Sequence, residues 1–184
     1  MRGILGITGT PGTGKKTLAP LVAQALGAGC LGLNDVARED GLLGKDGGVE
    51  PALLRRSLAR RLKAPAVVYG HLLPYVLGRN DAASVAVLRC EPSVLKRRLA
   101  SRGYPSSKVL DNVQAELIGL VSADAISTFG RAKVFEVDTT RSEPQASAAA
   151  LVALARGRRG RARLVDWMPN YDSSQRLRSL LAPP

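Results

Sequence analysis

Gly9, Gly12, Gly14 and Lys15 fall in the stretch Gly9-Thr10-Pro11-Gly12-Thr13-Gly14-Lys15-Lys16-Thr17, after an apolar run from Ile4 to Thr8 and before a helical pattern. Residues of these types at this spacing bind phosphate. Three glycines within six positions let main-chain N–H groups turn inward on an anion. The helix that follows adds the partial positive charge of its N-terminus, and a lysine at its start reaches the outer phosphates. The spacing G-x-x-x-x-G-K is met, but the next position, where a Ser or Thr hydroxyl would hold Mg²⁺, is Lys16. A glycine-rich turn without a ligand would need only one or two glycines and no lysine at the helix start.

The elements that must position this loop are legible as short runs of Ile, Leu and Val: Ile4 to Thr8, Cys30 to Leu33, Ala66 to Tyr69, Ser84 to Leu88 and Val134 to Val137. Nearly continuous apolar character means burial on both faces, as in a parallel sheet covered by helices. Strands alternating with helical patterns predict an α/β fold with right-handed crossovers. The first helix carries Leu18, Leu21, Val22, Ala25 and Leu26 on one stripe and closes at Gly27, with Pro20 inside it. Pro92 opens a second helix, with Leu95 and Leu99 inward and Arg97, Arg98 and Arg102 toward its far end. A later helix runs through Leu110, Val113, Leu117, Leu120 and Val121. Ser142 with Gln145 reads as a capping box for a helix that continues to about Ala155. Two segments interrupt the pattern, a glycine-rich stretch from Asp40 to Glu50 and a polar loop from Gly103 to Lys108, and loops at such places can close over a substrate.

At 184 residues and 45% hydrophobic composition the chain supports one domain with a substantial core. No stretch reaches the length needed to span a bilayer, and the apolar run at the start is too short for a secretion signal. Cys30 and Cys90 form no CxxC pair, which argues against a zinc site and a disulfide framework, fits a cytoplasmic setting, and reads both as small buried hydrophobes. The 27 Lys and Arg against 15 Asp and Glu give a net charge of +12, more than nucleotide binding needs. An RNA partner and a generally arginine-rich composition both account for it. The run Arg156 to Arg163, RGRRGRAR, cannot pack into a core; a solvated linker and an rRNA contact stay open for it.

Taken together, GTPGTGKKT, the segment Asn34-Asp35-Val36-Ala37-Arg38-Glu39, the pair Gly70-His71 and the stretch RLASRGYPSSKVLDNVQAE resemble the adenylate kinase isoenzyme six family, whose members are also described as ribosome-assembly ATPases. The similarity runs in order from Ile4 to about Asp138 and extends weakly to Val165-Asp166-Trp167. RGY followed by KxxDNxQxE is its most specific part.

This resemblance implies a P-loop nucleoside monophosphate kinase fold with a five-stranded parallel sheet, a monophosphate-binding segment at about 33–50 and a lid at about 102–109. It implies ATP and Mg²⁺ as cofactors, AMP-like acceptors, and, as partners, the immature small ribosomal subunit and small-subunit ribosomal protein eleven. Gly12, Gly14, Lys15, Lys16 and Thr17 surround the ATP phosphates. Amides at Gly12, Gly14 and position 16 donate regardless of side chain, and Thr17 offers a hydroxyl to the α-phosphate. Arg102 corresponds to the lid arginine, a role that suits a permanently charged, forked guanidinium. Arg38 lies where the acceptor phosphate would be met.

His71, the sole histidine, follows the third strand at the carboxyl edge of the sheet, where ligands bind in open α/β folds. Alone it reads as structural; the resemblance makes it part of an acid-x-His motif that organises water or metal, with Tyr69 in the acid's place. Both usual Mg²⁺ partners are thus replaced, and Asp35, Asp81 and Asp138 are left as outer contributors. A kinase of another small molecule on the same fold is the more distant alternative.

Overall fold

Four crossovers carry the chain between five strands whose side chains are apolar toward both faces. The computed structural model describes residues 3–45, 47–157 and 164–184. The strands are β1 (Ile4–Gly9), β2 (Gly29–Gly32), β3 (Ala66–Tyr69), β4 (Ser84–Arg89) and β5 (Val134–Asp138), and each overlaps a run that the sequence picks out, although Leu33, expected to close the second strand, opens the next helix instead. They form one parallel sheet in the order β2-β3-β1-β4-β5, with β1 central and in register Ile4 to Ala66 on one side and Leu5 to Ser84 on the other. Parallel pairing requires crossovers, and helices supply them.

One face of the sheet is covered by α1 (Lys15–Leu26) and α8 (Pro144–Ala155), which pack Leu18, Val22 and Leu151 on Leu5, Ile7 and Phe135. The other face carries α2 (Leu33–Glu39), α3 (Pro51–Arg61), α4 (Leu73–Val76) and α7 (Leu120–Phe129), whose Val36, Leu54, Leu73 and Phe129 meet Val68, Val85 and Val87. A third cluster joins α5 (Pro92–Ala100) and α6 (Ser106–Leu117) to the C-terminal stretch. There Leu95, Leu99, Val109 and Val113 pack with Trp167 and with Leu180 of α9 (Ser174–Leu181).

Several expectations are corrected. The single helix expected through Leu110 and Val121 is two, α6 and α7, because Gly119 adopts φ 69° and breaks the helical path. Its left-handed backbone carries a side chain only at a cost of about 1–2 kcal/mol. Leu120 is consequently exposed rather than inward. The Ser142 and Gln145 capping box is absent: the N-cap of α8 is Glu143, without a side-chain cap bond, and the Ser142 hydroxyl donates to the Asp138 carbonyl instead (3.3 Å). Of the cysteines, Cys90 is buried but Cys30 is exposed, since β2 is an edge strand with only one neighbour. The polar loop expected through Lys108 is shorter, because α6 already begins at Ser106. Pro20 is tolerated inside α1 on its exposed side, where it deprives the Lys16 carbonyl of its intrahelical donor. The arginine run beyond Gly157 lies outside the described residues up to Arg163.

Candidate phosphate-binding site

The loop between β1 and α1 is shaped by three glycines with positive φ: Gly9 at 140°, Gly12 at 94° and Gly14 at 100°. At Gly9 a Cβ would fall 2.4 Å from the Leu88 carbonyl oxygen, which excludes any side chain, and at Gly12 the positive φ strains any side chain and a Cβ would press on Leu95 Cδ1 at 2.7 Å. Gly14 is the N-cap of α1. The amides of Lys15 and Lys16 therefore open the first helical turn, where an amide has no partner within its own helix. The loop closes on itself through Thr13, whose amide and hydroxyl both donate to the Thr10 carbonyl (3.2 and 2.8 Å). It is held from behind at two points. The Thr10 hydroxyl donates to Glu116 Oε2 (2.6 Å), and the Thr139 hydroxyl, just past β5, donates to the Thr13 carbonyl (2.9 Å).

Lys15 bends over this loop, its ammonium donating to the carbonyls of Gly9 (2.5 Å) and Thr10 (3.0 Å). Desolvation lowers its pKa to about 7, with the charge of Arg102 adding to the shift and that of Glu116 opposing it. Lys15 therefore sits poised between ammonium and amine at neutral pH, and any phosphate placed in the loop favours the charged form. Arg102 is exposed in the turn after α5, which Gly103 completes at φ 72°. Its charge is felt at Lys15 from there.

A cleft of about 150 Å³ opens beside the loop between Lys15, Lys16, Asp35, Arg38, Tyr69 and His71. His71 stands in the turn after β3, where the Gly70 amide donates to the Ile7 carbonyl (3.1 Å) and holds the turn against β1. Desolvation and, less strongly, the Lys15 charge lower the His71 pKa below its usual value, which favours the neutral imidazole. Arg38 reaches across one helical turn to Asp35 (3.2 Å) on the exposed side of α2. Tyr69, at the end of β3, donates its hydroxyl to the other Asp35 oxygen (3.0 Å). Burial and this bond raise the Tyr69 pKa to about 12, so it remains a phenol. Gly32 makes the pairing possible, because a Cβ there would fall 2.4 Å from Asp35 Oδ2 and 2.6 Å from the Tyr69 hydroxyl.

These donors do not fit a protein-held Mg²⁺. Lys16 brings an ammonium where an oxygen is needed, Tyr69 brings a protonated phenol, and Asp35 is already shared between Tyr69 and Arg38. Among the described residues no group of three His, Cys, Asp or Glu side chains could hold a metal ion. Of the other two aspartates considered, Asp81 pairs with Arg55 (3.3 Å) and Asp138 accepts from Thr140, and neither lines the cleft.

Lys15, Lys16, Arg38 and His71 thus line one cleft, with Gly12 and Gly14 in the loop beside it, while Arg102 does not line the cleft and reaches Lys15 only through its charge. Thr17 lies in the first turn of α1 with its side chain exposed. The sequence reading missed Thr10, Thr13 and Thr139, which hold the loop, and Arg89 and Glu116 behind it. Glu116 closes the KxxDNxQxE stretch, a spacing that marks the residue but not its hold on the loop. A larger groove, about 890 Å³, lies between α5 and α9 along Lys96, Arg97 and Leu180; none of the cleft residues line it.

A glycine-rich loop between a central parallel strand and a helix, with a lysine over it, defines a P-loop protein of the small kinase type. Residues 5–119 match the family described as "AAA domain". The chain is 38% identical over 164 residues to "Putative adenylate kinase" of Natronomonas pharaonis, covering 84% of this chain and 91% of that one. It is 37% identical over 177 residues to the protein of the same name from Pyrococcus abyssi, covering 92% and 93%. The chain belongs to this adenylate-kinase-like family. Among solved structures, shikimate kinase from Acinetobacter baumannii, in complex with shikimate, superposes with a TM-score of 0.62 at 16% identity over 85% of this chain and 94% of that one. A gluconokinase from Sinorhizobium meliloti superposes with a TM-score of 0.57 at 21% identity over 85% and 94%. At these identities the likeness is one of fold.

Proposed function

We propose that the chain is a broad-specificity nucleoside monophosphate kinase with ATPase activity, and that it acts in late maturation of the small ribosomal subunit and its rRNA. ATP occupies the Gly9–Thr17 loop: Gly12, Gly14, Lys15 and Lys16 offer amides to the phosphates, and Thr17 offers its hydroxyl. Arg38, on the 33–50 segment, meets the phosphate of an AMP-like acceptor, and Arg102, on the 102–109 lid, swings onto the transferring group. In the transfer the bond from the γ-phosphorus to the β,γ-bridging oxygen of ATP breaks. A bond forms from that phosphorus to an acceptor phosphate oxygen, and two nucleoside diphosphates result. Lys15 and Arg102 offset the charge that gathers on the oxygens, and closure excludes water. With no acceptor bound, neutral His71 accepts a hydrogen bond from the attacking water. The observation that carries this reading is the convergence of Lys15, His71 and Arg38 on one cleft beside the loop.

A second reading is favoured by Lys16 and Tyr69: an ATP-binding ribosome-assembly factor with weak turnover. Equilibrium ATP binding with and without Mg²⁺, paired with turnover on AMP, CMP and GMP, separates the two. Strong Mg²⁺ dependence with transfer to AMP supports the kinase, and Mg²⁺-independent affinity with negligible turnover supports the assembly factor. In Lys16→Thr, where the hydroxyl returns, Mg²⁺-dependent turnover rises; if wild-type turnover is already that of an efficient kinase and the variant gains nothing, the replacement of the Mg²⁺ partners is without consequence. The rRNA contact is assigned to Arg156 to Arg163. Replacing its five arginines with glutamine is expected to weaken binding of small-subunit rRNA and flatten its salt dependence.

A further inference from the structure

Behind the phosphate loop lies a buried ionic network that reaches from Thr10 of the loop to the C-terminal stretch. Glu116, 1% exposed, divides its carboxylate between the two ends. Its Oε2 accepts from the Thr10 hydroxyl (2.6 Å), inside the loop. Its Oε1 accepts from Arg89 Nε (2.8 Å), the Cys90 amide (3.0 Å) and the indole N–H of Trp167 (3.2 Å). Arg89 in turn donates to Glu136 Oε1 (2.7 Å) and to the Val165 carbonyl (3.0 Å), while the Val165 amide donates to the other Glu136 oxygen. Val165 therefore spends both main-chain groups on the network.

We propose that the Val165–Trp167 stretch is a positioning clasp for the phosphate loop, acting through Glu116 on Thr10, so that the loop's conformation and the seat of Trp167 are coupled. A carboxylate is a rigid plane. Thr10 cannot move without turning Glu116 Oε2, and the same turn shifts the oxygen that Trp167 holds. The surroundings leave the turn no freedom, since Thr10, Arg89 and Glu116 are each at most 3% exposed. Packing alone does not call for this chemistry. Two carboxylates and one guanidinium are costly to bury, and apolar residues of like volume would hold the tail as well or better. What a charged network adds is direction, because each partner has to sit within hydrogen-bond geometry of the next. The clasp has a second hold on the loop, since Leu95 and Leu99 pack in the same cluster as Trp167 and abut Gly12. The role in catalysis rests on the reading that this loop binds ATP; the mechanical coupling does not.

Trp167 is the chain's one tryptophan, so its emission reports on the clasp without labelling. ATP is titrated in parallel by calorimetry and by tryptophan emission. The clasp requires the emission to change with the same midpoint as the heat. In Thr10→Val, which keeps the shape and loses the donor, ATP binding weakens about three- to thirtyfold and the emission no longer follows it. Hydrogen exchange without nucleotide supplies the independent arm. In Trp167→Phe, which keeps a ring and loses the N–H, amides of residues 9–17 exchange severalfold faster while those of α3 are unchanged; Glu116→Gln does the same if it folds. Loop exchange unchanged in Trp167→Phe and Thr10→Val overturns the clasp, as does heat of binding with a silent Trp167. Absence of heat overturns the ATP reading instead, and the exchange measurement still decides the clasp.

Discussion

Lys15 is the residue through which pH reaches the site. With its pKa near 7 the side chain is an ammonium at pH 6 and mostly an amine at pH 8, whereas a bound polyphosphate holds it charged. Binding above pH 7 must therefore take up a proton, and ATP affinity is expected to fall by up to about tenfold per pH unit above 7. Calorimetry at pH 8 in two buffers of different ionisation enthalpy reads the uptake, which approaches one proton in the wild type and vanishes in Lys15→Met. The folding linkage has the same origin. Because the folded pKa lies below the unfolded one, the unfolded chain binds more protons between them. Lys15 consequently costs the fold stability below pH 7, a cost relieved as pH rises toward 10.5, the usual lysine value. Lys16, by contrast, is exposed on the second position of α1, where its side chain stands in place of a hydroxyl.

Between α6 and α7 the decisive residue is Gly119, at φ 69° with nothing nearer than Arg89 Nη1 at 3.6 Å to the place of a Cβ. Space is available there, so the cost of a side chain is that of the left-handed backbone alone. Gly119→Ala is expected to lower stability by about 1–2 kcal/mol in urea unfolding, and Gly119→Asn by less, because asparagine tolerates this region. The same position shows why element boundaries were harder to read than elements. All five strands were legible because central parallel strands are apolar on both faces, a pattern that survives without knowledge of the partners. A break inside a continuous apolar stripe leaves no such mark, since Leu117 and Leu120 fit one helix as readily as two. α3 went unread: its buried Leu54 and Leu58 stand one turn apart after Pro51, but the arginines along it mask the stripe. The candidate site divides similarly. The loop is a local sequence and was visible at once, whereas Thr10 meets Glu116 across 106 residues and Tyr69 meets Asp35 across 34. Only a fold brings those pairs together, so no spacing rule announces them.

Across the whole molecule the distribution of charge sets two opposite demands. The chain carries +12 overall, yet the network at its centre holds two glutamates against one arginine, a local excess of negative charge within hydrogen-bond reach of the loop. That excess is tolerated because Thr10, Ser122, Cys90, Trp167 and Val165 surround the carboxylates with neutral donors. Among the described residues Arg89 is the one cation in it, tying β4 to α6, β5 and the C-terminal stretch. Removing it strands two buried carboxylates, so Arg89→Met is expected to cost about 3–5 kcal/mol. Arg97→Met, on the exposed side of α5, should stay within about 0.5 kcal/mol. Because Val165 and Trp167 are bonded into the same network, the C-terminal stretch cannot peel away before the sheet. Urea transitions followed by Trp167 emission and by far-ultraviolet circular dichroism should therefore coincide in the wild type. If the emission transition runs ahead, the tail is an appendage rather than part of the core, and the third cluster does not contribute to the cooperativity of the fold.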